Sequence, residues 1–173
     1  MNMTMKKKLI VTSLLAASVF ASAANAGTFN ITGSIASTPC VANAAQADIK
    51  MPLINKDKLG AAAGDFSTVP ATDLTINLTN CPNVAQTATV TFTGSADSKD
   101  PKALELTGVK GVALALFEDD GSTQIEINKA AKAQSLTGTA TSDLTYKAKY
   151  VTTADTFQEG NATATLNFDV AYN

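Results

Sequence analysis

Histidine, tryptophan and arginine are absent from the 173 residues, and cysteine occurs only at Cys40 and Cys81. Without histidine the chain lacks the usual proton shuttle near neutral pH, a Ser-His nucleophile pair and an imidazole for zinc. Three of the thirteen lysines precede residue 27, which leaves ten against fifteen acids, a balance of −5. That weakly acidic charge disfavours nucleic acid and anionic membrane surfaces as partners. The missing tryptophan removes the best side chain for stacking on a sugar.

No apolar run reaches the roughly 20 residues needed to span a bilayer. The longest, Leu9 to Phe20, follows Lys6, Lys7 and Lys8 and leads to Ala24-Asn25-Ala26. Basic start, apolar middle and small-residue end describe a secretory signal over residues 1–26, with the mature chain beginning at Gly27. Residues 27–173 suit one domain. In an oxidising compartment Cys40 and Cys81 are expected to form a disulfide rather than two free thiols. It closes a loop of 42 residues counting both ends, a contribution of roughly 3 to 4.5 kcal/mol in the chain-entropy model.

Little chemistry is on offer elsewhere. Asp119 and Asp120 are adjacent carboxylates, but beside Gly121 they read as a solvated turn rather than as the two acids of a glycosidase. Asp97, Asp100, Asp119 and Asp120 could offer oxygens to calcium, yet their spacing fits no EF-hand loop. No cofactor, metal or catalytic residue is assigned, and an enzyme is not expected. Asn30, Asn77 and Asn161 open Asn-x-Thr triplets, which read here as polar strand faces.

Period-2 patterning dominates and points to an all-β domain. One face of residues 72–79 carries Leu74, Ile76 and Leu78, and the run stops at Cys81-Pro82, where proline cannot donate to a ladder. Ala88, Val90 and Phe92 share a face in the next run. KALELT, GVALALFE and QIEIN follow, the last two separated by an Asp-Gly hairpin signal. Leu144, Tyr146, Ala148 and Tyr150 face one way opposite Lys147 and Lys149. Residues 42–47, 55–70 and 128–134 read as loops, the last with a helical turn.

The two ends of the mature chain alternate most clearly. At the carboxyl end, GNATATLNFDVAYN places Leu166, Phe168, Val170 and Tyr172 on one face against Thr165, Asn167, Asp169 and Ala171. At the amino end, Phe29, Ile31 and Ile35 share a face with Gly33, whose missing side chain lets two backbones approach. A strand with one apolar side at a sheet edge invites another strand.

This layout resembles the subunits of bacterial chaperone-usher fimbriae of the type 1 and P pilus kind. The resemblance rests on Gly33-x-Ile35 before Cys40, Leu-Thr-Asn-Cys-Pro at 78–82, Phe92-Thr-Gly94 followed by Ala96-Asp97, Gly160 fourteenth from the end, and penultimate Tyr172. It implies an incomplete immunoglobulin-like sandwich lacking its seventh strand, completed by a donor strand from a neighbouring subunit. Residues 27–35 would be the donor extension and 36–173 the pilin domain. Phe29, Ile31, Gly33 and Ile35 would fill a neighbour's groove, although Gly27 offers little apolar contact at the first donor position. Gly160, Leu166, Phe168, Val170, Tyr172 and Asn173 would meet first a periplasmic chaperone, which holds the Asn173 carboxylate, and then the next subunit at the outer-membrane usher. The implied product is a cell-surface fimbria supporting adhesion, with any glycan contacted only indirectly. The thirteen residues before Cys40 look closer to short-armed adaptors, so a minor adaptor or adhesive subunit is the alternative, ahead of a secreted carbohydrate-binding sandwich.

Overall fold

The computed structural model describes Asn30 and residues 32–34, 38–154 and 156–173. The signal segment and the donor positions Phe29, Ile31 and Ile35 lie outside the described residues. Ala36–Asn173 makes one compact unit. Within it, the described residues form nine strands in two sheets: β1 Val41–Ala44, β2 Thr72–Thr79, β3 Gln86–Thr93, β4 Leu104–Glu105, β5 Val112–Glu118, β6 Gln124–Ile125, β7 Gln134–Leu136, β8 Thr141–Thr152 and β9 Asn167–Tyr172. The larger sheet runs β1-β2-β8-β5-β4 with β6 also on β5, and the smaller runs β7-β3-β9. Every ladder is antiparallel.

Alternation dictates the core. Leu74, Ile76 and Leu78 of β2, Ala88, Val90 and Phe92 of β3, and Leu144, Tyr146, Ala148 and Tyr150 of β8 are buried in one cluster, while the residues between them point to the other face of each sheet. Phe92 of the small sheet meets Tyr146 of the large one edge-to-face at 4.9 Å, a geometry the aromatic quadrupole favours. Burial holds the Tyr146 hydroxyl protonated, raising its pKa to about 12, with the nearby Glu118 charge adding to the effect.

β5 is buried on both faces. Val112, Leu114 and Leu116 join the main core, whereas Ala113, Ala115 and Phe117 form a second cluster with Ala103 and Val151. Part of the segment read as a loop at 55–70 straps this outer face. Gly64 donates to the Thr152 carbonyl and Ser67 to the Tyr150 carbonyl, both at 2.8 Å, and Phe66 packs edge-on against Phe117 at 5.0 Å.

Two loop readings need correction. Residues 42–47 contain most of β1, which pairs with Ile76 to Thr79. VANA has no apolar alternation to reveal it, and it is a strand because main-chain pairing beside the Cys40–Cys81 disulfide holds it to the end of β2. Residues 128–134 form no helical turn: Ala131 donates to the Val90 carbonyl at 2.8 Å, so the segment lies along β3 before β7. The Asp-Gly signal does join β5 to β6, with Gly121 at φ 65°. Asp97 and Asp120 accept bonds from the backbone of their own turns. The Thr123 hydroxyl, followed by its backbone N–H, holds the Asp120 carboxyl well below the usual carboxylate range.

Candidate strand-accepting edge

Among the described residues β9 has a neighbour on one side only. It pairs with β3 from Thr93↔Asn167 to Ala88↔Tyr172, and the chain beyond it continues the ladder, with Thr87 and Asn173 exchanging both main-chain bonds at 2.9 and 3.0 Å. Antiparallel ladders alternate bonded with non-bonded pairs. Counting back from Thr87 and Asn173, the bonded residues of β9 are Ala171, Asp169 and Asn167. On the far side of β3, the Phe92 and Val90 carbonyls accept from Asn128 and Ala131, as that count requires. The main-chain N–H and C=O groups of Phe168, Val170 and Tyr172 therefore face away from β3, and among the described residues nothing pairs with them.

The side chains of those same residues point inward. Leu166, Phe168, Val170 and Tyr172 pack against the main cluster but are only partly covered, whereas Asn167, Asp169 and Ala171 are exposed. Tyr172 has its ring half-buried and its hydroxyl buried without a partner among the described residues, and burial raises its pKa. Residues that present unsatisfied backbone at the edge thus also present uncovered apolar surface beneath it. A single added strand would satisfy both.

A second stretch shares this condition. Between Ala45, which donates to the Thr75 carbonyl, and Asn55, which accepts from Lys58, residues 46–54 make no main-chain hydrogen bond among the described residues. Met51 and Ile54 of this stretch pack on the same cluster as the inward face of β9, and Leu53 is 95% exposed. The sequence reading passed over it. Its signal was available in Ile49, Met51, Leu53 and Ile54, four apolar residues close together, though Pro52 among them argues against a central strand.

The predicted terminal strand is shorter than its alternating sequence. Leu166 just precedes β9, and Gly160 lies outside it, pressed against Gly108. Gly33 is exposed, with open space where a side chain would stand.

Residues 29–173 match the model of the fimbrial protein family. Long polar fimbria protein A of Salmonella typhimurium is 29% identical over 99% of both chains. The solved antigen and type I fimbria protein of Burkholderia pseudomallei is 34% identical, covering 84% of this chain and 97% of its own, with a TM-score of 0.59. The P pilus rod subunit PapA, at 24% identity, has the same fold with a TM-score of 0.64 over 79% of this chain and all of its own. The incomplete sandwich with its one-sided last strand is the fold of these pilus subunits, and the chain belongs to the fimbrial protein family as a structural subunit of a cell-surface fimbria.

Proposed function

We propose that β9 accepts a strand from another molecule, and that residues 27–35 are the strand this subunit gives in turn. The observation carrying the reading is that Phe168, Val170 and Tyr172 combine unpaired backbone with half-covered side chains. A periplasmic chaperone would occupy the edge first, holding the Asn173 carboxylate with its cations. At the outer-membrane usher the extension of the next subunit would replace it. Residues 46–54, whose Met51 and Ile54 pack on the same cluster, would be the second lip of the groove, bonding the incoming strand on its other side except at Pro52, which has no N–H to give.

Burying Phe29, Ile31 and Ile35 contributes about 1.5 to 3 kcal/mol each, and a double ladder adds to that against the ordering cost of a free arm. Donor and acceptor are different patches, so the contact is heterologous and propagates rather than closes. The test is to purify fimbrial material made with and without residues 27–35. The intact chain gives ladders in SDS that collapse only on heating, and the truncated chain still binds a chaperone but stops growth. Ladders that persist without residues 27–35 would overturn the assignment.

A further inference from the structure

From the geometry between β8 and β9 we infer that Gly108 and Gly160 form a backbone clasp that positions the Leu166 end of the accepting edge. This rests on the strand-accepting reading of β9. The chain leaves the large sheet after Thr152 and joins the small sheet at Asn167, and beyond Thr153, which donates to the Gly111 carbonyl at 2.9 Å, the connecting segment is fastened to residues 107–110 by two reciprocal pairs. Thr107 and Thr163 exchange main-chain bonds at 2.9 and 3.0 Å, and Lys110 and Gln158 do so at 3.1 Å each. From Thr107 to Lys110 the chain advances three positions, but from Gln158 to Thr163 it advances five. The excess residues bulge directly over Gly108.

The bulge closes only because both sides lack a side chain. A Cβ on Gly160 would overlap the Gly108 carbonyl oxygen, and a Cβ on Gly108, which sits at φ 85°, would overlap the Asn161 carbonyl oxygen. The Thr107 hydroxyl donates to the Thr163 carbonyl at 3.0 Å and lies 2.8 Å from the Thr163 hydroxyl. Three residues after Thr163 comes Leu166, the first inward side chain of the accepting face. Among the described residues the free edge of β9 has no neighbour to fix it, so this fastening and the β3 ladder set where that face begins. Gly160 is a positioning residue: it acts on the incoming strand through Leu166.

The test uses fimbriae assembled from full-length chains and follows their dissociation to monomers in heated SDS. Gly160→Ala is expected to raise the dissociation rate about tenfold. Thr107→Val, which keeps the shape and removes the hydroxyl bond, should raise it about threefold. The diagnostic readout is coupling between sites. Gly160→Ala should be non-additive with Leu166→Ala at the near end of the groove and additive with Tyr172→Ala at the far end. If Gly160→Ala abolishes export, the same cycle is run with Thr107→Val. Wild-type dissociation in Thr107→Val fimbriae, or equal coupling to Leu166 and Tyr172, would overturn the clasp while leaving the strand-accepting edge intact. Ladders made without residues 27–35 would instead remove the donor assignment on which the strand-accepting reading is built.

Discussion

β8 and β9 are written in the same period and meet opposite fates. Both alternate an apolar face with a polar one, and both carry tyrosine among their inward residues. β8 lies between β2 and β5, and Leu144, Tyr146 and Ala148 are at most 1% exposed. Among the described residues β9 pairs with β3 alone, and its inward Phe168, Val170 and Tyr172, with Leu166 just before it, stay half covered. The difference is one missing neighbour, which leaves unsatisfied both the backbone edge and the apolar face of a single strand.

Large-to-small substitutions should expose that difference most strongly. Leu78→Ala, in the fully enclosed part of the core, is expected to cost about 3 to 5 kcal/mol in chemical denaturation. Val170→Ala should cost about 1 kcal/mol in a subunit freed of its arm, because half of that side chain already meets water. Its cost should grow when a peptide of residues 27–35 is added. Equal costs at the two positions would erase the distinction between a closed and an open strand.

Two of the outer strands, β1 and β9, offer a second contrast. β1 is tied by the Cys40–Cys81 disulfide next to it, whereas β9 has no covalent anchor. Replacing both cysteines by serine is expected to cost about 2 to 5 kcal/mol and to increase amide exchange in β1 before it does so in β9. Simultaneous loss of protection in both strands would mean that the edges are not independent.

The smallest effect is spectroscopic. Tyr146 and Tyr172 both have raised pKa values, chiefly from burial, with Tyr146 reaching about 12. A raised folded pKa means that the unfolded chain loses its proton first. The stability from Tyr146 is thus complete below about pH 10 and is lost as pH climbs toward about 12. In a tyrosinate absorbance titration, with Tyr172→Phe to assign the signal, Tyr172 should ionise before Tyr146. Adding the peptide should delay Tyr172 alone. A Tyr172 titration indifferent to the peptide would place the added strand elsewhere.

Much of the sandwich was legible in the sequence because its central strands bury one face and so must alternate. Leu74-Ile76-Leu78, Ala88-Val90-Phe92 and Leu144-Tyr146-Ala148-Tyr150 all fell as read, and the export signature foretold the pairing of Cys40 with Cys81. β1 escaped because VANA owes its conformation to main-chain pairing with β2 rather than to its side chains. The strap over Phe117 escaped for a similar reason, since Gly64 and Ser67 engage the sheet through backbone. Sequence period alone could not separate β9 from β8; only the ladder shows which backbone groups lack partners. The close approach of Gly108 and Gly160 joins positions 52 apart in the chain and becomes visible only when their carbonyls are placed.

The alignment of free amides and carbonyls along β9 carries a consequence for fidelity. A grip made through the peptide backbone is indifferent to the identity of the strand it holds, so any suitably alternating extension earns much of the same affinity. Choosing the right successor then falls to side-chain fit at a few points and to the order in which candidates are delivered. An apparatus that presents subunits one at a time would supply the discrimination that the groove itself lacks.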